Sequence, residues 1–340
     1  MLKIVLYTTN AILPIVLLIS LGYVLKKTGL LNDAFIKSAN GLVFRVFLPA
    51  QLFLNIYKIE AFSEIRWDAT AFALIGIFAA FLVGILYARL LIPDPRQRGV
   101  VAQAFFRSNV AIIGIPLGQA LGGAAGLAVI SVVSAFSVAE LNILGVIVLT
   151  IFLPREEGGK RQNSIVHGIL TNPLIKSLAA GFLVLFLRSL IPTGADGTPV
   201  FTIEQNLPFL YKVISYLAQG TTPVALLMLG AQFRFEAVKR LKWQIISGVF
   251  GCNLLMPALA IGTAIILEHC GVVNFGPEIF AGLLPIFASP AAFSGAVMAR
   301  EMNNDGDLAA QIIVWSNVFA IPTIFFWVAL LLRLGYLTFV

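Results

Sequence analysis

Two long apolar segments of the sequence contain polar residues next to residues that interrupt helices. One segment, RSNVAIIGIPLGQALGG, has Asn109 near its middle, followed by Gly114 and Pro116, and the other, LLPIFASPAAFSGAVMA, has Ser289 and Pro290. Proline removes a backbone donor and clashes with the preceding turn, so we expect each helix to unwind there. The half-helices would then point partly positive N-terminal ends at their crossing, with Asn109 and Ser289 as neutral donors. Such a site favours an anion.

The same residues also fit a purely structural interpretation. Pro116 and Pro290 can kink packed helices, while Asn109 hydrogen-bonds to a neighbouring helix. One interrupted helix taken alone favours this structural role. Matching interruptions in two corresponding helices favour a binding site, because paired broken helices are typical of secondary transporters.

A lone carboxyl group, that of Glu140, lies about halfway along a third apolar segment, close in sequence to Ser137 and Asn142. A charge at such a depth costs about 2.5–3.5 kcal/mol on insertion scales, so it usually faces the protein interior. Three roles are open for Glu140. In the first, Glu140 is protonated and bound as a neutral acid. In the second, it forms an ion pair with Arg45 or Arg107. In the third, it is a coupling group that binds and releases a proton.

Arg45 and Arg107 are the basic residues inside the apolar segments, and either can meet a substrate carboxylate. Arg107 precedes Asn109 by two residues, which places the two on different sides of a regular helix. We therefore expect Arg107 to extend its charged end toward the cytoplasmic surface. Arg45 is more deeply placed and is the better candidate for contact with Glu140 or substrate. The candidate substrate-binding residues are Asn109, Ser289, Pro290, Glu140, Asn142 and Arg45, and the candidate hinge residues are Gly114, Pro116 and Pro290.

The composition places these segments in a lipid bilayer. Of the 340 residues, 59% are apolar and only 11% are charged, and the mean hydropathy is +0.95. Soluble proteins carry about 25% charged residues, so this chain cannot cover a globule with polar surface. A spanning helix needs about 20 apolar residues, and the sequence predicts an all-α membrane protein with ten transmembrane helices. The ten predicted spans are residues 7–25, 34–57, 69–92, 98–121, 125–153, 172–191, 208–232, 243–267, 277–299 and 308–334.

A hydrophilic stretch at residues 154–168 divides the spans into two sets of five. Because five is odd, the sets enter the membrane from opposite faces, which predicts two inverted five-helix repeats with broken helices four and nine crossing near the midplane. At an offset of 180 (288 − 108), residues 108–110 align with residues 288–290. The predicted units are a first repeat at 1–153, a short cytoplasmic linker at 154–171 and a second repeat at 172–340.

The distribution of Lys and Arg predicts the orientation in the membrane. These residues are concentrated in alternate connections between spans, as at Lys26, Lys27, Arg96 and Arg98. Connections rich in Lys and Arg face the cytoplasm. We therefore expect an integral, multi-pass protein of the plasma (inner) membrane with both termini outside.

Several function classes find no support in the sequence. It contains no H-E-x-x-H, G-x-S-x-G or phosphate-binding G-K-[ST] motif, so we expect neither an enzyme nor an ATP-driven pump. His167 and His269 have no further ligands at metal-site spacing, so no metal or other cofactor is predicted. The net charge of +7 is spread over short connections, which does not favour nucleic acid as a partner. A passive anion channel remains an alternative to a carrier.

The chain resembles the auxin efflux carrier family, which includes plant auxin transporters and bacterial carriers for malonate or malate. The most specific match is the run from Asn109 to Leu117, which is similar to the family's N-x4-G-[IL]-P-L motif. Supporting matches are Leu13-Pro14, Leu21-Gly22-Tyr23, Phe47-Leu48-Pro49, Asn172-Pro173-Leu174-Ile175, Pro223-Val224-Ala225-Leu226-Leu227, Leu229-Gly230-Ala231 and Ser289-Pro290-Ala291.

This resemblance implies a ten-helix fold whose fourth and ninth helices cross beside the substrate, and it also implies homodimers and an elevator-like motion. The family's carboxylate-binding asparagine carries over to Asn109 and its crossover proline to Pro290, while Glu140 loosely matches a polar residue of the fifth helix. The chain lacks the long central loop of the large plant members, so a small mono- or dicarboxylate fits better than auxin. A sodium-coupled bile-acid-type symporter, with oxygens from Glu140, Asn109 and Asn317 around sodium, is the alternative carrier.

Overall fold

The computed structural model describes residues 2–58, 66–153, 170–190 and 201–338, apart from the side chains of residues 2–12 and Ser189. Within these ranges the chain is helical, and extended pairing is limited to a single bridge. The all-α prediction is therefore confirmed. The predicted linker falls largely outside the described residues, at 154–169.

Fifteen α-helices occur in the described ranges, and three π-helical turns interrupt them. The helices are α1 (Leu2–Lys27), α2 (Asp33–Leu42), α3 (Leu48–Tyr57), α4 (Trp67–Leu91), α5 (Pro95–Phe106), α6 (Ile115–Ile151), α7 (Pro173–Ser189), α8 (Ile203–Asn206), α9 (Pro208–Ala231), α10 (Phe235–Arg240), α11 (Lys242–Phe250), α12 (Met256–His269), α13 (Gly276–Ala288), α14 (Ser294–Glu301) and α15 (Gly306–Leu334). The π-helical turns are Val43–Phe47, Val110–Gly114 and Gly251–Leu255.

Six helical stretches of the described chain are long and apolar enough to cross a membrane. Their outward faces are apolar, as on α4, where Ile75 and Leu90 are 70% and 71% exposed. These features support several membrane passages, whereas the count of ten spans and the inverted repeat stay predictions. The six stretches are Asp33–Tyr57, Trp67–Leu91, Val110–Ile151, Pro208–Ala231, Lys242–His269 and Gly306–Leu334.

The helices pack in two groups. In the first group α9 contacts α1 and α3, and α3 contacts α7, while α4, α5, α6, α11, α13, α14 and α15 are connected in the second group. The two groups meet at α1, which also contacts α6 and α15. Helix α13 lies at the centre of the second group, where every residue from Ile279 to Ala288 is buried. The polar interruptions identified in the sequence belong to this second group.

Two glycines allow α1 and α9 of the first group to touch through their backbones. A β-carbon at Gly22 would overlap the carbonyl oxygen of Leu227, and one at Gly230 would overlap the carbonyl oxygen of Ile19. The contact is therefore reciprocal, with each helix providing one glycine. Small residues allow this close approach of membrane helices, where packing rather than the hydrophobic effect holds them together.

Each π-helical turn ends two residues before a proline. The three prolines are Pro49, Pro116 and Pro257, and the three turns are each closed by a backbone hydrogen bond from residue i to residue i−5, as from Ile115 to Val110. A proline ring clashes with the carbonyl of the residue four positions earlier, and a wider turn moves that carbonyl away. The π-helical turns therefore let these helices continue into their prolines without a break.

Candidate functional site

The centre of the site is a pair of helix interruptions that hydrogen-bond to each other. Helix α5 ends at Phe106 and α13 ends at Ala288, and an antiparallel bridge then pairs Ser108 with Ala291. The backbone N–H of Asn109 donates to the carbonyl oxygen of Pro290 at 2.8 Å, and that of Ala292 donates to the carbonyl oxygen of Arg107 at 3.0 Å. The interruptions thus satisfy each other's backbone groups in a place that is buried among helices.

Local sequence explains only the second interruption. Ser289 precedes a proline and has φ −68° and ψ 144°, an extended conformation that proline imposes on the residue before it. The first interruption, at Arg107 to Asn109, contains no proline. The prediction that Pro116 breaks this helix is wrong, because Pro116 lies beyond the π-helical turn and inside α6. The first interruption is held instead by its backbone bonds to the second.

The side-chain amide of Asn109 is one polar group that this junction leaves without a hydrogen-bond partner. Asn109 is 5% exposed, and its amide makes no hydrogen bond to the described residues. Its carbonyl oxygen accepts from the backbone N–H groups of Ile113 and Gly114, at 3.1 and 3.2 Å. The backbone of Asn109 is therefore fixed from both sides, while its side-chain donors and acceptor stay available.

Ser289 lies at the same junction, but its hydroxyl hydrogen is already used. The hydroxyl donates to the carbonyl oxygen of Pro285 at 2.6 Å, and the residue is fully buried. A β-carbon at Gly114 would stand 3.4 Å from Ser289 Oγ, so the predicted hinge glycine packs against it. In this conformation the Ser289 hydroxyl therefore does not donate to a ligand, although the sequence suggested that it would.

Ser316 of α15 also supports the junction, although sequence reasoning did not identify it. Its hydroxyl oxygen accepts from the backbone N–H of Ala291 at 3.2 Å and donates to the carbonyl oxygen of Ile313 at 3.0 Å. One hydroxyl thus satisfies the backbone donor that the extended segment leaves without a helical partner. Nothing in the spacing of the sequence points to this contact.

Arg107 is buried at the first interruption, so the prediction that it extends to the surface is wrong. It is 3% exposed, and its guanidinium donates to the carbonyl oxygen of Leu141 at 2.8 Å, to Asn142 Oδ1 at 2.7 Å and to Ser294 Oγ at 2.9 Å. The prediction assumed a regular helix through Arg107 and Asn109. Helix α5 ends at Phe106, so helical spacing does not relate the direction of the Arg107 side chain to that of Asn109.

The predicted site residue Asn142 therefore contacts Arg107. Its Oδ1 accepts from the guanidinium, and its Nδ2 donates to the carbonyl oxygen of Val138 at 2.7 Å. Both ends of the amide are occupied. Asn142 positions Arg107 in this structure, and contact of its own with a ligand would require one of these bonds to open.

The predicted ion pair of Glu140 with Arg45 or Arg107 does not form. Arg45 is exposed on the π-helical turn Val43–Phe47, and Arg107 donates to neutral oxygens. Glu140 is half-buried on α6, and its Oε2 is buried with no hydrogen-bond partner in the described part of the chain. The roles of a protonated acid and of a coupling group therefore remain as hypotheses for Glu140.

A small cavity of about 20 Å³, which has room for a water molecule, lies beside the paired interruptions. Its polar lining consists of Gln103 and Arg107, together with the backbone of Ala291, Ala292 and Gly295. Gln103 precedes Arg107 by four residues, the spacing that places two side chains on one helix face. That spacing is the sequence signal that could have identified Gln103. Among the described residues, no group of three or more His, Cys, Asp or Glu side chains is arranged to hold a metal ion.

Apolar outward faces and a polar junction at two interrupted helices are typical of membrane transporters. Comparison with known proteins supports this class. The profile of a family described as membrane transport protein matches residues 7–173 and 170–328. The chain therefore belongs to this family, which confirms its resemblance to the auxin efflux carriers.

Three curated proteins illustrate how far this similarity extends. An uncharacterized transporter of Methanothermobacter thermautotrophicus is 24% identical over 94% of this chain and 97% of its own length. An uncharacterized transporter of Methanocaldococcus jannaschii is 24% identical over 95% of this chain and 99% of its own length. The lysosomal cholesterol signaling protein of Mus musculus is 23% identical over 89% of this chain but only 35% of its own length.

Proposed function

We propose that this protein is a secondary transporter of small organic anions, with mono- or dicarboxylates such as malonate or malate as its substrates. The observation that carries the proposal is the free amide of Asn109 at the junction of the two interrupted helices. A buried amide without partners costs free energy, which a ligand that hydrogen-bonds to it recovers. In this proposal the Asn109 amide donates to a substrate carboxylate.

The proposal includes transport by alternating access, with one group of helices moving as an elevator against the other. The division of the described helices into two packing groups supports this mechanism. The reciprocal backbone contact of α1 and α9 suits a fixed scaffold, and the paired interruptions lie in the other group. A homodimer, held through the scaffold group, and an inner-membrane location with both termini outside complete the proposal.

Transport assays in proteoliposomes test the role of Asn109. Uptake of radiolabelled malonate, malate and shorter monocarboxylates is measured for the unmodified protein, for Asn109→Ala and for Gln119→Ala. Gln119 is a matched control because its amide is exposed on α6, the helix that follows the junction. We expect Asn109→Ala to raise KM about tenfold, the loss of one hydrogen bond to a charged group, and Gln119→Ala to stay within about twofold.

If Asn109→Ala transports all the carboxylates of the panel as well as the unmodified protein does, the substrate-binding role of this residue is contradicted. Counterflow separates a carrier from a passive channel, because only a carrier accelerates uptake when unlabelled substrate is present on the other side. The same vesicles, with imposed proton or sodium gradients, identify the coupling ion. A response to sodium alone would favour the symporter alternative.

A further inference from the structure

The guanidinium of Arg107 is a buried charge with only neutral partners. Its hydrogen-bond acceptors are a backbone carbonyl, an amide oxygen and a hydroxyl, and no ion pair of Arg107 occurs within the described ranges. Its Nε is buried and has no hydrogen-bond partner. A buried charge without a counter-charge is costly, so such groups are usually paired or bind an ion.

A second unpartnered donor lies beside Arg107. Gln103 is 4% exposed, and its Nε2 is buried without a hydrogen-bond partner in the described chain. Both side chains line the small cavity next to the paired interruptions, which has a volume of about 20 Å³. The cavity therefore combines a positive charge and an amide with space that no protein group fills.

Two glycines make room for these side chains. A β-carbon at Gly145 would overlap Nη1 of Arg107, and one at Gly295 would stand 3.0 Å from Oε1 of Gln103. Larger residues at either position would push the guanidinium or the amide out of place. The packing around the cavity thus keeps both polar groups at its wall.

We propose that Arg107 and Gln103 form a subsite that binds a carboxylate group of the transported anion. This inference rests on the proposed transport function and adds a charged residue to the single amide of Asn109. When a carboxylate enters the cavity, Arg107 Nε and Gln103 Nε2, which are both buried and without partners, turn toward it and donate to its oxygens, and the guanidinium supplies the counter-charge. Asn142 and Ser294 act as positioning residues, since they fix the guanidinium from α6 and α14.

Equilibrium binding of radiolabelled malonate to purified protein in detergent tests this subsite. The variants are Arg107→Gln, Gln103→Leu and the control Arg89→Gln, which removes one positive charge at an exposed position of α4. We expect the first two variants to weaken malonate binding at least about tenfold, because each loses a hydrogen bond to a charged group. Arg89→Gln should stay within about twofold of the unmodified protein.

Removal of Arg107 releases three hydrogen bonds and can prevent folding. Gln103→Leu is the second test. It removes a side-chain amide whose nitrogen has no hydrogen-bond partner, and it leaves the three Arg107 contacts in place. Size-exclusion chromatography identifies folded variants. If folded Gln103→Leu binds malonate as tightly as the unmodified protein, the subsite is overturned.

The outcomes separate this inference from the proposed function. Unchanged malonate binding in Arg107→Gln and Gln103→Leu, together with weakened binding in Asn109→Ala, would overturn the subsite and leave the transporter proposal standing. Binding of sulfate or chloride as tight as that of malonate, without their transport, would overturn the assignment to carboxylates. If the unmodified protein neither binds nor transports any carboxylate of the panel, both proposals fail.

Discussion

The backbone N–H of Asn109 donates a hydrogen bond of 2.8 Å to the carbonyl oxygen of Pro290. This bond joins two helix interruptions that are far apart in the sequence, and a second bond, from Ala292 to Arg107, runs beside it at 3.0 Å. Each interruption therefore provides hydrogen-bond partners for backbone groups of the other. Without them, those groups would be buried and unpaired. The position of the free Asn109 amide thus depends on both segments at once.

The contact between α1 and α9 predicts that an added methyl group separates these helices. Gly230→Ala places a β-carbon against the carbonyl oxygen of Ile19, a backbone atom that cannot rotate away. Overpacking of this kind costs about 1–3 kcal/mol. We expect a clear decrease in the apparent melting temperature of the purified protein. Tryptophan fluorescence during heating measures this temperature.

Gly41→Ala is the control for this substitution. A β-carbon at Gly41 meets no atom within 4 Å, and alanine is favoured over glycine inside a helix. We therefore expect Gly41→Ala to leave the melting temperature unchanged or to raise it slightly. Equal melting temperatures for Gly230→Ala and Gly41→Ala would argue against a close α1–α9 contact.

The turn inside α6 predicts a second sensitive glycine. Gly123 has φ 57° and ψ −140° and separates α6 into two helical halves. The halves fold back on each other, since a β-carbon at Gly126 would stand 2.5 Å from the carbonyl oxygen of Gly118. Side chains are strained in this region of backbone conformation by about 1–3 kcal/mol. Gly123→Ala should therefore lower the melting temperature, measured as above.

Gly262→Ala provides the comparison for Gly123, because its surroundings are open and its backbone is helical. A melting temperature of Gly123→Ala that equals that of Gly262→Ala would show that the left-handed conformation at Gly123 is not required. The turn would then be formed by other residues.

The two cysteines provide a test of the predicted orientation. Cys270 is exposed directly after α12, whereas Cys252 is buried. With the N-terminus outside, the connection after the eighth span is also outside. We expect a membrane-impermeant maleimide to label intact cells that express the protein, and Cys270→Ser to abolish the labelling. Labelling that appears only after the membrane is permeabilised would contradict the predicted orientation.

Much of the architecture could be predicted from local sequence. The low charge content and long apolar segments gave the all-helical membrane class, because lipid excludes unpaired backbone groups. The interruption at Ser289 was predictable as well, since Pro290 acts on its immediate neighbours. The sequence likewise placed a short connection between the predicted spans 98–121 and 125–153, and the non-helical backbone of Gly123 lies within it.

The environment of the charged residues was not predictable in the same way. Arg45 was expected to contact Glu140 or substrate and is exposed, and Arg107 was expected at the surface and is buried. Both expectations came from the position of a residue along an assumed regular helix. Which face of a membrane helix is covered depends on its neighbours, and a single segment does not contain that information.

The sequence by itself determined that the described chain is helical and largely apolar, and that Pro290 forces an extended backbone on Ser289. Only the tertiary structure decided that the chain is also interrupted at Arg107 to Asn109, where no proline is present. Hydrogen bonds to the distant Pro290 segment stabilise the non-helical backbone there. The tertiary structure likewise decided that Arg107 and Gln103 share a cavity. Local chemistry acts over one or two turns, whereas these features come from contacts between residues almost two hundred positions apart.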